Sequence, residues 1–203
     1  MQLFIVRKNL TFFSVLIITA TSCIKVLASS YTLLPSDDGY VLPNGNSSSG
    51  GYLLVGANGW DGIVKFGLSP VKGTVTQAVL SVNPYGLPLW GNPIDVYGYG
   101  TQIGNLDASD YHAGTYLGSW TLPDLGFGQD AYFDVTSLFS SLNASYAAFD
   151  LRSGGVDVLS SLGKNYGHPS ELTITTIPEP SITALTGLGF LFLSVQRKIF
   201  AAR

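Results

Sequence analysis

The chain predicts an all-β fold, an antiparallel β-sandwich held between two hydrophobic end segments. Three observations carry this. Short apolar stretches recur at intervals of roughly 8–12 residues and are split by Gly/Pro turns, the spacing of a sandwich. The middle of the chain is rich in Gly, Ser, Thr and Tyr and low in Lys and Glu, a mixture that suits strands and turns better than helices. No long helical periodicity and no internal repeat runs through that middle.

The N-terminal segment explains where the fold begins. Arg7 and Lys8 are followed by an apolar run, Leu10–Ile18, with Phe12, Phe13, Val15, Leu16, Ile17 and Ile18. Val26-Leu27-Ala28 then offers small side chains at the positions a signal peptidase reads, so residues 1–28 are expected to be a signal peptide cut between Ala28 and Ser29. The competing reading is an uncleaved N-terminal anchor. Cys23 is the only cysteine, and Ala20-Thr21-Ser22-Cys23 is a poor lipoprotein box. Cleavage after Ala28 leaves no cysteine, which removes disulfides and thiolate metal sites.

Residues 29–176 have the length of one ordinary domain, able to bury a core without staples. They hold four basic residues (Lys65, Lys72, Arg152, Lys164) against twelve acidic ones, a net charge of −8. Nucleic acid is excluded as a partner, because phosphate recognition demands clustered Lys and Arg. Divalent cations and neutral glycans remain compatible.

Taken in order, Tyr31–Leu34 is a first short strand and Ser36–Gly51 reads as a loop, from Ser-Asp-Asp-Gly, Pro-Asn-Gly-Asn and Ser-Ser-Ser-Gly-Gly. Tyr52–Val55 is a strand. Asn58–Gly62 turns into Ile63–Leu68, where Val64, Phe66 and Leu68 share one face and Ile63 and Lys65 the other, the alternation of a half-buried strand. Thr74–Val82 is the clearest strand, with Ala78, Leu80 and Val82 inward. Asn83–Pro93 is a loop, Ile94–Tyr99 a strand, Asp107–Gly114 a polar turn and Tyr116–Leu122 a weak strand carrying Trp120 toward the core. Ala131, Phe133 and Val135 alternate inward. Thr136 is placed to cap a short helix with Leu138, Phe139 and Leu142 on its inner side. Ala147, Phe149 and Leu151 form the next inward stripe, and Val156–Leu162 and Leu172–Thr175 complete the set.

The tail, residues 177–203, has three parts. Pro178-Glu179-Pro180 holds the chain extended, Ile182–Val195 is an uncharged run, and Arg197, Lys198 and Arg203 make a basic end. The run is 14 residues long, shorter than the ~20 of a spanning helix and equally the length of a core helix. Snorkelling of Arg197 and Lys198 extends its reach, and positive charge resists translocation. This order of parts resembles the PEP-CTERM sorting signal. The resemblance implies an exported bacterial protein with a transient transmembrane helix, handled by an exosortase-type transpeptidase after signal peptidase, and found with extracellular polysaccharide in a biofilm matrix or at the cell surface.

A second resemblance covers about Gly51–Thr175. The stretch Gly62–Val82, containing Lys65-Phe66-Gly67-Leu68-Ser69 and Thr76-Gln77-Ala78-Val79-Leu80, is similar to the opening of DNRLRE-type, disaggregatase-related domains. Phe133-Asp134-Val135-Thr136 and Pro169-Ser170-Glu171-Leu172 match later elements of that pattern. Gly67 stands where those domains carry Asp, and no Asp-Asn-Arg-Leu-Arg-Glu occurs. The family implies a jelly-roll-like sandwich in secreted proteins and, in some members, carbohydrate binding.

Chemistry-bearing residues are sparse. His112 and His168 stand apart in polar loops, and there is no H-E-x-x-H, nucleophile elbow or phosphate loop. His112 beside Asp110 is a candidate pair, with solvated loop residues as the competing account. Glycosidases need two placed carboxylates, and a glycan-active enzyme stays the third-ranked reading. No cofactor is required; calcium is a candidate through Asp37, Asp38 and Asp61, with Asp107 and Asp110, read here as loop oxygens. Trp60, Trp90 and Tyr85 in Gly/Asn/Pro loops are candidate sugar-stacking anchors, or plugs for the ends of the sandwich. The leading expectation is an exported, non-catalytic surface or matrix protein associated with exopolysaccharide; a weak carbohydrate-binding module is the alternative.

Overall fold

A computed structural model describes residues 28–50, 52–53, 55–56, 59–82, 93–120, 130–153, 161–162 and 169–179. In chain order the strands are β1 (Ser29–Leu33), β2 (Asp37–Val41), β3 (Ser47–Ser49), β4 (Tyr52–Leu53), β5 (Asp61–Gly67), β6 (Thr74–Val82), β7 (Ile94–Thr101) and β8 (Thr115–Trp120). Then come β9 (Ala131–Asp134), the single-turn helix α1 (Thr136–Phe139), β10 (Tyr146–Ser153), β11 (Ser161–Leu162) and β12 (Glu171–Ile177). Every ladder is antiparallel. A four-stranded sheet runs β1-β12-β6-β9, a six-stranded sheet β3-β2-β5-β10-β7-β8, and β4 pairs with β11. The expected all-β, sandwich-like fold is what forms. Among the described residues no helix is long and apolar enough to cross a membrane. The segment 1–27, the residues from Pro180 onward with Arg197, Lys198 and Arg203, and the loop positions Tyr85, Trp90 and His168 lie outside the described residues, as does the side chain of Trp120.

The core lies between the two large sheets. Ala78, Leu80, Val82, Leu172 and Ile174 of one sheet meet Val64, Phe66, Val96, Ala147, Phe149 and Leu151 of the other. Phe66 and Phe149 cross edge to face, with ring centres 6.1 Å apart. The inward stripes of β6 and β10 are those the alternation predicts. Ala131 of β9 and Val135 just after it are buried, while Phe133 is half-buried against the core.

Three expectations are corrected. Ser36–Gly51 is not all loop: β2 pairs with β5 and β3 with β2, because Gly39 lets the two strands close. A Cβ there would stand 1.9 Å from the Ser48 carbonyl oxygen. Secondly, β5 is not half-buried, since Asp61–Phe66 are all buried. Finally, Thr136 does not cap α1. Val135 is the capping position, and Thr136 is the first helical residue. The Thr136 hydroxyl donates to Asp134 Oδ1 at 2.6 Å and accepts from the Ala78 N–H at 2.9 Å, tying α1 to β6. Leu138, Phe139 and Leu142 do pack on the core, as their spacing predicts.

Candidate functional site

The second buried face of β5 is covered by the segment 102–114, which crosses the outer side of the six-stranded sheet between β7 and β8. Leu106 and Tyr111 from this strap pack on Val41 and Ile63. Its peptide groups are pinned by side chains of the sheet. Leu106 N–H donates to Asp37 Oδ2 at 2.8 Å, and His112 N–H donates to Asp61 Oδ2 at 2.7 Å. Arg152 Nη2 donates to the Ala113 carbonyl at 2.8 Å. The turn Ala108–Asp110 inside the strap is closed by a reciprocal cap between Asp107 and Asp110.

Alternation on three neighbouring strands gathers charge under the strap. Lys65 on β5 pairs with Ala148 on β10, which pairs with Tyr99 on β7. The small alanine leaves a gap between the two long side chains, and Asp110 fills it from above. Lys65 is fully buried and its Nζ lies 2.8 Å from Asp110 Oδ2. Nζ also donates to the Asn105 carbonyl at 2.7 Å and the Ile103 carbonyl at 3.3 Å. Tyr99 Oη donates to Asp110 Oδ1 at 2.7 Å. Burial, and then the bond to the Asp110 carboxylate, push the Tyr99 phenol far above its ordinary range.

One step along the ladder sits a second cluster. Asp150 is fully buried, and its Oδ2 accepts from Arg152 Nε at 2.9 Å and Nη2 at 2.5 Å. Arg152 Nε stands 3.7 Å from Asp61 Oδ2, and the exposed His112 ring lies 3.6 Å from Asp61 Oδ1. Burial raises both carboxyls: Asp150 is pushed up to about 7, with the charge of Asp61 adding to the effect and Arg152 opposing it. Asp61 is raised by the same loss of water, against the pull of His112 and Arg152.

Solvent meets this face beside the strap, on β7 and β8. Arg152 lies 3.8 Å over the Tyr97 ring, and Tyr97 meets the half-exposed Tyr116 edge to face at 5.5 Å. Tyr116 Oη and Ser119 Oγ are 2.8 Å apart, and Ser119 Oγ donates on to Asp95. The result is an aromatic ledge with hydroxyl, carboxylate and guanidinium groups at its rim.

The sequence-predicted residues fall differently. Asp37, Asp38 and Asp61 stand on strands rather than in loops. Asp37 caps strap and strand N–H groups, Asp61 binds the strap, and Asp38 alternates to the opposite side of β2, next to Val64. They do not converge, and among the described residues no group of three His, Cys, Asp or Glu side chains is arranged to hold a metal. Asp110 does not pair with His112; it takes Lys65 and Tyr99, and His112 turns to Asp61 and stacks on Tyr111 at 4.1 Å. Trp60 is half-buried and stacks on Tyr40 at 5.7 Å, so one indole face is occupied. Ala28 is exposed ahead of β1, Ser29 is in that strand, and Pro178 and Glu179 are exposed just beyond β12. Sequence reasoning missed Lys65, Asp150 and Arg152. Their signal was present: charged residues at alternate positions of otherwise apolar strands, among only four basic residues in the middle.

No protein-family model matches the chain, and no curated protein matches it significantly.

Proposed function

We propose that this chain is an exported protein of the PEP-CTERM type. In this reading a non-catalytic, jelly-roll-like β-sandwich of the DNRLRE type is released by signal peptidase. An exosortase-type transpeptidase then sorts it to the cell surface or extracellular matrix, where it associates with exopolysaccharide. The observation that carries this is the fit between the fold and its flanks. β1 starts at Ser29, the residue after the predicted cleavage point, and β12 ends at Ile177, the residue before Pro178-Glu179-Pro180. A non-catalytic role is supported by the state of the paired carboxyls. Asp61 and Asp150 are closed to water and engaged by Arg152, whereas a glycosidase needs two carboxyls open to a substrate.

Intact-mass measurement of the protein recovered from its producing cell tests the proposal. The expected species starts at Ser29 and ends near Pro178–Ser181. A species that keeps Phe190 and Arg197 overturns the sorting reading.

A second reading, a weak carbohydrate-binding module, is favoured by the Tyr97–Tyr116 ledge rather than by Trp60. Sugar rings stack on flat aromatic faces while their hydroxyls meet polar rims, and Tyr116, Ser119, Asp95 and Arg152 supply both.

A further inference from the structure

We propose that Lys65 and Asp110 condense to an intramolecular amide, a covalent staple between β5 and the strap. Four observations meet at this pair. Lys65 is fully buried and Asp110 nearly so, with Nζ 2.8 Å from Oδ2. Both groups are therefore out of water, and the amide product carries no charge at all. The reacting groups are fixed: the Ile103 and Asn105 carbonyls hold Nζ from one side, and Asp107 N–H donates to Asp110 Oδ2 at 2.8 Å. Tyr99 Oη donates to the other carboxyl oxygen, Oδ1, at 2.7 Å. Finally, Cys23 is the only cysteine, so the chain can form no disulfide of its own, and this pair is where a different staple fits.

The chemistry balances without a co-reactant. One Nζ proton passes to Asp110 Oδ2, leaving an amine lone pair against a carboxylic acid. Nζ attacks Cγ, and the C–N bond forms as charge moves onto Oδ1, where the Tyr99 hydroxyl meets it as an oxyanion donor. A second Nζ proton reaches Oδ2, the Cγ–Oδ2 bond breaks, and one water leaves. Nothing is oxidised or reduced. Holding two such groups in contact is worth effective concentrations of ~10⁵–10⁸ M in favourable intramolecular cases, and exclusion of solvent water disfavours the return hydrolysis. Tyr99 touches the reacting carboxyl and is the residue expected to set the rate.

The test is mass spectrometry on the full chain. Unfolded intact protein should be lighter by one water than its processed sequence. Trypsin should skip Lys65 and release a branched peptide joining the segment that ends at Lys72 to residues 73–152. Tyr99→Phe should slow formation by about tenfold or more, by loss of one oxyanion donor, so that young protein is a mixture of linked and unlinked chains. Lys65→Arg should abolish the branch and restore the lost water. Wild-type protein that is folded by circular dichroism yet has the unreduced mass, and is cut by trypsin at Lys65 once denatured, overturns the proposal and leaves a buried ion pair.

Discussion

Arg152 and Asp150, two residues apart on β10, form an ion pair, Nη2 to Oδ2 at 2.5 Å. Even so, Asp150 is pushed up to about 7, because burial outweighs the guanidinium and Asp61 adds a second negative charge nearby. A carboxyl raised in the folded state binds its proton more tightly there than in the unfolded chain. Its contribution to stability is therefore complete below the ordinary carboxylate range near 3.8 and is lost as pH climbs through about 7. Asp107 and Asp134 are held below their ordinary range by hydrogen bonds from Ser109 and Thr136, and they act in the opposite sense. Asp134 is exposed and Asp107 only half-buried, so their effect appears only as pH falls below about 4 and is small. Stability should peak in mild acid. Urea midpoints should fall between about pH 4 and about pH 7, by up to roughly 4 kcal/mol in free energy, and level off above. Asp150→Asn should flatten that slope; an unchanged slope in the variant would remove Asp150 as its source.

The strap depends on Asp110. Removing this carboxyl leaves the Lys65 ammonium buried without its counter-ion, a loss of about 3–5 kcal/mol for a broken buried pair. Asp110→Ala should therefore open the segment 102–114 before the sandwich unfolds. Limited proteolysis should find new cuts there, while Lys65→Met/Asp110→Leu, which removes both buried charges but also the covalent link, should restore only part of the protection.

In the core, Phe66→Ala and Phe149→Ala should each cost about 3–5 kcal/mol, since both rings are fully buried between the sheets. Their edge-to-face contact predicts that the double variant loses less than the two single losses added together, by about 0.5–1.5 kcal/mol. Chemical denaturation of the four proteins measures the difference.

These positions show what alternation reveals and what it hides. The inward stripes of β6 and β10 were legible because each strand sets apolar residues at every second position, a pattern fixed by the pleat. Alternation also put Ile63 and Lys65 together on the far face of β5. It says nothing of whether that face is covered, and cover comes from a strap some forty residues further along. Residues that favour turns by their own chemistry concealed β2 and β3. Their strand state is imposed by β5 and by close approach at Gly39, a tertiary cause absent from any local window. The same gap explains the candidate site. Asp37 and Asp61 looked like loop oxygens open to calcium, yet their lone pairs are taken by strap N–H groups.

Glycan binding, if it resides on the β7–β8 ledge, should be weak. Contacts of exposed aromatics are worth about 0.5–1 kcal/mol each, so a single site should bind no tighter than ~1 mM, about −4 kcal/mol. Copies displayed on one matrix raise the apparent strength through avidity. In affinity electrophoresis through gels cast with the producing cell's own polysaccharide, the full chain should be retarded and Tyr116→Ala should migrate freely. Equal retardation of a folded Tyr116→Ala protein removes the ledge from the argument.

The place of β12 inside the four-stranded sheet bears on how such a chain comes to be folded at all. β12 makes two of that sheet's three pairings, with β1 at one side and β6 at the other, and Ser29 finds its partner only at Thr176. Contacts this distant along the chain delay folding until nearly all of it is present. A polypeptide threaded N-terminus first through a narrow pore would emerge with β1 and β6 waiting for a strand still on the other side. For a chain exported in that way the topology would act as a timer, since the sheet can close only when the last strand, with Pro178 directly behind it, has come through.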